Sequence, residues 1–225
     1  MVRAEEIKRL AAGLGADLCG IAPVDRFADA PAGFHPTDVL KGAGSVVVVA
    51  RRFPVSTLAA ATNAPYTLVR NQMVAKVDEL TCTLAAALEE RGLTAVPIPS
   101  SDPYDSWDAA ERRGQGILSL KHAAVRAGLG KMGKNTLLVN ERLGNMLWLG
   151  AVLVDAGLAG DEPAAYEVCP PDCRICIDSC PGQAIDGVTV VQKLCRPYSG
   201  RSSEGGGMLY ACNLCRKLCP NCKGL

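Results

Sequence analysis

Cys169-Pro-Pro-Asp-Cys173-Arg-Ile-Cys176-Ile-Asp-Ser-Cys180-Pro181 is the stretch on which the reading of this chain turns. Its last three cysteines follow C-x2-C-x3-C-P, and the first interval is three residues long. The pattern returns at Cys212-Asn-Leu-Cys215-Arg-Lys-Leu-Cys219-Pro220, with Cys195 standing between the two runs and Leu209 where a third close cysteine of the second run would fall. Two-residue gaps let a tight loop aim successive thiolates at one compact centre. In two-cluster ferredoxins the cysteine before proline serves the other cube. Proline brings no N–H and fixes φ, which turns the chain where the short helix carrying that cysteine ends. Applied here, the crossover assigns Cys169, Cys173, Cys176 and Cys219 to one [4Fe–4S] cluster and Cys180, Cys195, Cys212 and Cys215 to a second. Cys222 is left over, as the alternative to Cys219. Zinc also takes four thiolates, often from C-x2-C pairs. It has no need of a C-x3-C-P in each half, so two cubes are the adopted reading.

Of the eleven cysteines, nine lie between Cys169 and Cys222. Cys19 and Cys82 stand alone in apolar surroundings and read as buried small hydrophobes. Net charge is +1 over 225 residues, which argues against a polyanion-binding surface. No apolar run approaches the roughly 18 residues that span a bilayer. The start, Met1-Val2-Arg3-Ala4-Glu5-Glu6, lacks an apolar signal core, so the expected location is the cytoplasm. Residues 169–225 hold seven Lys or Arg against four Asp or Glu. Cations near a cube would raise its potential; an ordinary solvated basic surface explains the excess equally well.

Upstream, the patterns mix helix and strand. Ile7, Leu10, Ala11 and Leu14 recur at helical spacing over residues 3–14, and Asp17 to Val24 reads as a strand. Ser45 to Ala50 holds four consecutive valines, as a strand buried on both faces would. Tyr66 to Glu90 reads as a long helix, Thr94 to Ile98 as a strand, and residues 99–107 as a polar loop. Ile117 to Ala127 reads as a helix. Thr136 to Asn140 and Met146 to Asp155 read as strands, paired in a hairpin near Arg142-Leu-Gly144. Residues 157–163 read as a linker. The expected fold class is therefore α+β: a mixed domain over residues 1–163 and a ferredoxin-like domain over 164–225.

Gly128-Leu-Gly130-Lys131-Met-Gly133 fits a dinucleotide fingerprint, and with Lys134-Asn135 it nearly fits a phosphate-binding loop. Both need a preceding strand, whereas here a helix comes first. What remains is a glycine-rich cationic turn able to approach a ligand closely.

Read together, these pieces resemble the epoxyqueuosine reductase family and, more distantly, reductive dehalogenases. The resemblance runs through Ala16-Asp-Leu-Cys-Gly20-Ile-Ala-Pro23, Gly42-Ala-Gly44-Ser-Val-Val-Val48, Ala127-Gly-Leu-Gly130, Gly133-Lys-Asn-Thr136, Leu149-Gly-Ala-Val-Leu153 and the cysteine runs. It implies a nitroreductase-like, cobalamin-binding domain joined to the two-cluster domain, with single electrons passing from clusters to cobalt. It also implies that Gly128, Gly130, Lys131, Gly133, Lys134 and Asn135 line the cofactor pocket. The family's proton-donating aspartate lies shortly upstream of its Ala-Gly-Leu-Gly stretch; here Arg113-Gly-Gln-Gly-Ile117 offers no acid. No counterpart of the family's tRNA-holding helical repeats precedes Leu225. The expected substrate is therefore a small molecule, with tRNA doubtful, and the expected partner is a protein electron donor. FMN is the alternative cofactor, and a non-catalytic electron carrier the alternative role.

Reducing a bond needs a proton as well as electrons. Tyr104 and Asp105, in the polar loop, and His122, on the helix before the turn, are the candidate donors. Turn chemistry also explains the Asp-Pro and Asp-Ser pairs of that loop.

Overall fold

The computed structural model describes residues 2–203 and 205–225. In chain order its helices are α1 (Ala4–Gly13), α2 (Pro36–Val39), α3 (Ala64–Glu89), α4 (Leu120–Arg126), α5 (Ile175–Asp178), α6 (Gln192–Ser199) and α7 (Leu214–Lys217). Its strands are β1 (Leu18–Pro23), β2 (Ser45–Arg52), β3 (Ala95–Ile98), β4 (Ser106–Asp108), β5 (Arg113–Gln115), β6 (Lys131–Met132), β7 (Leu138–Val139), β8 (Leu147–Val154), β9 (Gly200–Ser202) and β10 (Met208–Tyr210).

A four-stranded sheet in the order β1-β2-β8-β3 organises the first two thirds of the chain, and every neighbouring pair in it is antiparallel. The valine run is its centre. Successive strand side chains point to opposite faces, and both faces are covered. Val46, Val48 and Ala50 pack with Ala123, Ala124 and Ala127 around α4. Val47 and Val49 pack with Ile7 and Ala11 of α1 and Leu80, Leu84 and Leu88 of α3. All four valines are fully buried. A run without polar alternation is what this position demands, each such side chain contributing about 1.5–3 kcal/mol of burial.

The register of β2 on β8 sets Val49 opposite Gly150. A Cβ at Gly150 would stand 2.6 Å from Val77 of α3, so the missing side chain lets the helix lie close. Gly20 does the same on the other face, where a Cβ would run into the Ala127 carbonyl oxygen at the end of α4.

Three expectations need correction. Residues 147–154 do not form a hairpin with 136–140. They run between β2 and β3, and the hairpin partner of β7 is β6. The hydrophobic content of β8 is better satisfied inside the sheet than at its edge. Residues 157–163 are not a free tether: the Asp161 carboxylate accepts from Ile21 N at 2.8 Å and pairs with Lys8, and its carbonyl accepts from Arg26 at 2.5 Å. Cys82 is exposed on α3 rather than buried. Cys19 is half-buried, and burial above all, with Asp161 next, pushes its thiol up to about 12.

The glycine contacts give a first prediction. Gly20→Ala forces side-chain volume against fixed backbone and should cost about 1–3 kcal/mol. Gly13→Ala, at the end of α1 with open space around it, should gain roughly 0.5–1 kcal/mol. Urea unfolding midpoints of the two variants should move in opposite directions; a shift of Gly20→Ala toward higher stability would refute the packing account.

Candidate redox centre

The two cysteine runs meet through their short helices, α5 packing on α7. The thiols sort by the neighbours whose charge each one feels. Cys219 faces Cys169, Cys176 and Cys222, and Cys176 faces Cys169 and Cys173. Cys215 faces Cys195, Cys212 and Cys180, and Cys195 faces Cys180 and Cys212. No thiol of one set acts noticeably on the other among these four. Burial is the main reason that each of them is raised, with Cys215 pushed up to about 11; crowding by sister thiols adds to it. Crowded thiols resist ionising until a cation joins them, which is the chemistry of a metal-binding set.

Among the described residues no three His, Cys, Asp or Glu side chains converge tightly enough for a single metal ion.

Lys134 and Asn135 seat the cysteine segment. The Lys134 amine donates to the carbonyls of Pro170, Pro171 and Cys173 at 3.1, 2.6 and 3.0 Å. Its backbone N–H points at Cys169 Sγ at 3.4 Å. The buried Asn135 side chain donates to the Cys215 carbonyl at 3.0 Å. The glycines of the same turn serve close chain packing: a Cβ at Gly128 would meet the Glu162 carbonyl, and one at Gly130 the Val139 carbonyl. Gly133 would place a Cβ 2.8 Å from Asn135 Oδ1. Lys131 pairs with exposed Glu167 at 2.8 Å. The six turn residues therefore meet the cysteine segment and the chain around it, and none of them lines the cavities described next.

The second set has its own anchors. Asn63, at the start of α3, leaves its helix uncapped and donates instead to the Ala211 carbonyl at 2.8 Å. Tyr210 N donates to Thr67 Oγ1 at 2.9 Å. Arg70 lies over the Tyr210 ring at 4.2 Å. Ala184 N donates to Cys180 Sγ at 3.3 Å.

A cavity of about 360 Å³ reaches Arg216, the residue after Cys215. Leu118, Leu137, Leu138, Leu147 and Leu149 give it an apolar wall, and Lys121 and Arg216 give it two cations without an acid. Burial holds the Lys121 amine below the usual lysine range, opposed by Cys215 and helped by Arg216. Ser100 Oγ, Asn145 Oδ1 and Trp148 Nε1, on residues of this lining, are buried with no partner among the described residues. A second cavity of about 500 Å³ shares Gly116, Leu118 and Ser119 with the first.

The candidate proton donors surround these spaces. Tyr104 lines the smaller cavity, with its ring stacked on Trp107 at 6.2 Å. Asp105 lines a further recess of about 310 Å³ with Tyr104. His122 lines the larger cavity, 2.7 Å from Ser119 Oγ, and burial first, then Arg126 and Lys121, lowers its pKa. Asn63, Asn145 and Arg216 were missed in the sequence. Only Arg216 had a signal, its place directly after Cys215.

No family model matches the chain. An epoxyqueuosine reductase of Staphylococcus aureus is 34% identical over 121 residues, 49% of this chain and 31% of that protein. A solved epoxyqueuosine reductase bound to an epoxyqueuosine-modified tRNA stem loop superposes at TM-score 0.65, with 20% identity, over 98% of this chain and 66% of its own. A reductive dehalogenase described with a B12-dependent mechanism superposes at 0.58, with 21% identity, over 94% of this chain and 28% of its own. The chain thus matches under a third of its curated relative's length and about two thirds of the solved reductase. It is similar to the epoxyqueuosine reductases in sequence over about half its length, and it shares with them and the reductive dehalogenases a fold that takes in nearly the whole chain.

Proposed function

We propose that this protein is an iron–sulfur oxidoreductase with two [4Fe–4S] clusters, passing single electrons to a cobalamin held across the adjoining cavities next to Arg216 for reduction of a small molecule. The observation that carries the proposal is the sorting of the thiols into two sets, one of them next to Arg216, which lines a cavity. Cys169, Cys173, Cys176 and Cys219 would hold one cube; Cys180, Cys195, Cys212 and Cys215 would hold the other. Cys222 is buried next to Cys219 and stands in reserve on the first set. When bound, the cubes supply one-electron storage and the corrin a cobalt that can reduce a substrate.

The residues present fit both groups. Four thiols per set with a backbone N–H on one sulfur of each is the donor chemistry that a cube takes. Leucines with Ser100 Oγ, Asn145 Oδ1 and Trp148 Nε1 left without partners among the described residues suit a large apolar plane edged with amides. The chain's own residues divide the remaining work. Lys134 and Asn135 orient the cysteine runs, the leucine wall excludes water, and the Tyr104 hydroxyl holds a proton at the cavity rim. The tRNA substrate of the solved reductase belongs to a protein of which this chain covers 66%, and a small molecule remains the proposed substrate.

Anaerobically reconstituted protein offered cobalamin should hold about eight irons and bind cobalt. Iron without cobalt, or a yellow fluorescent extract on denaturation, moves the reading to an electron carrier or a flavoprotein. Zinc without iron overturns it. Cys180→Ala and Cys212→Ala should each leave about four irons and lose the same electron paramagnetic resonance signal. Loss of two different signals would sink the crossover assignment.

Lys134→Met should release iron to a chelator faster than wild type, because three carbonyl contacts disappear from the Pro170–Cys173 loop; the loss amounts to about 1–3 kcal/mol. Lys131→Met, which removes only a surface pair, should release iron at the wild-type rate. Equal rates in both variants would show that the turn does not seat the cysteine segment.

A further inference from the structure

Arg216 is only 8% exposed. Its guanidinium donates to the Asn145 carbonyl, Asn145 Nδ2 donates back to the Arg216 carbonyl at 3.3 Å, and the Phe53 ring lies 5.7 Å away. Among the described residues no carboxylate comes within ion-pair reach of Arg216 or of Lys121. A buried cation without an anion is strongly unfavourable. A fold that clamps such a cation from two sides must supply its negative partner elsewhere. The neighbouring groups able to carry negative charge are sulfurs: Cys215 is adjacent in sequence and feels Arg216, Lys121 feels Cys215, and Cys180, Cys195 and Cys212 complete the set.

The first set differs in this respect. Cations beside it are exposed or occupied: Lys134 is half-exposed and donates to three carbonyls, and exposed Arg174 pairs with Asp178. Solvent screens a charge so placed far more than a buried one. Hydrogen bonding to sulfur does not favour the second set: backbone N–H groups lie 3.4 Å from Cys169 and 3.3 Å from Cys180, and further donors act on Cys176 and Cys219 of the first set and, through Ser199, on Cys195 of the second. Burial of charge is what distinguishes them.

We propose that Arg216, with Lys121, is the built-in counter-cation of the Cys180, Cys195, Cys212 and Cys215 centre and holds its reduction potential above that of the other centre. The second centre is then where electrons collect, behind the two cations that line the cavity. The inference rests on the two-cluster reading above. Its redox step is the gain of one electron from an external reductant, with no bond made or broken and no proton required. A fixed cation favours the more negative, reduced form. Arg216 and Lys121 act as positioning residues, through the field they exert on the centre.

The test is a dithionite titration of reconstituted holoprotein followed by electron paramagnetic resonance. In Arg216→Gln the equilibrium constant for reducing one centre should fall at least tenfold, 59 mV for a one-electron couple. That centre should be the one whose signal disappears in Cys212→Ala. Lys121→Met should shift the same centre in the same direction, and exposed Lys217→Gln should shift neither. Unchanged potentials, or equal shifts of both centres, in protein that keeps its iron would overturn the inference. Absence of iron from the wild type would instead refute the two-cluster reading. Should Arg216→Gln fail to hold iron, Lys121→Met alone decides.

Discussion

Two adjacent side chains, Lys134 and Asn135, hold the cysteine constellation together. Lys134 gathers the carbonyls that precede and surround Cys173, and Asn135 reaches the carbonyl of Cys215 in the other run. The two cysteine runs are separated in sequence by a long excursion through α6 and the β9–β10 hairpin. Something outside them must fix their distance before any metal arrives. A turn projecting from the end of α4 does so, and it is rigid for a reason. Its glycines admit backbone carbonyls at closer range than any side chain would allow, and Asn135 is tied to the turn itself through Leu137 N at 3.1 Å.

That turn is positioned in its own right by the sheet. Helix α4 lies on the face of β2 that carries Val46, Val48 and Ala50, and Gly20 lets β1 close against the helix end. On the opposite face α3 packs by Leu80, Leu84 and Leu88, while its first turn reaches the second cysteine run through Asn63 and Thr67. Both covering helices therefore end in contacts to the cysteine segment. The core and the candidate redox centre share one scaffold, and a packing error in the sheet would be felt as a displacement of thiols.

The legible parts of this arrangement were those with a strict period or spacing. The valine run announced a strand buried on both faces, and α1 and α3 followed from helical spacing close to their observed limits. The C-x2-C-x3-C-P runs marked the cysteine segment, whose two short helices pack on one another. Position 147–154 was read as a strand but paired wrongly, because an apolar strand carries no mark of which neighbours it will take. The glycine-rich turn was noticed for a ligand; Gly128 and Gly130 stand against carbonyls and Lys134 lines a recess with Pro171 and Arg174, and glycine at a tight approach looks the same in sequence whether a cofactor or a carbonyl comes close. Asn63, Asn145 and Arg216 are single residues whose meaning lies in contacts across the fold, some of them more than seventy positions away, and no local pattern marks them.

Arg196 extends the same logic to the cavity rim. It sits on α6 one residue after Cys195, whose thiol burial raises above the usual range, and its charge opposes that rise. Its guanidinium lies 4.7 Å from the Trp107 ring and 5.7 Å from that of Tyr104. Gln192, one turn earlier, exchanges hydrogen bonds of 3.1 Å with both backbone groups of Gly114. The loop carrying Tyr104 is therefore tied to the helix carrying a cysteine of the second set. A cation thus stands between the aromatic pair and the helix that carries Cys195. Any change that moves α6 must also move the loop that carries Tyr104, so the two elements keep a fixed relation to each other.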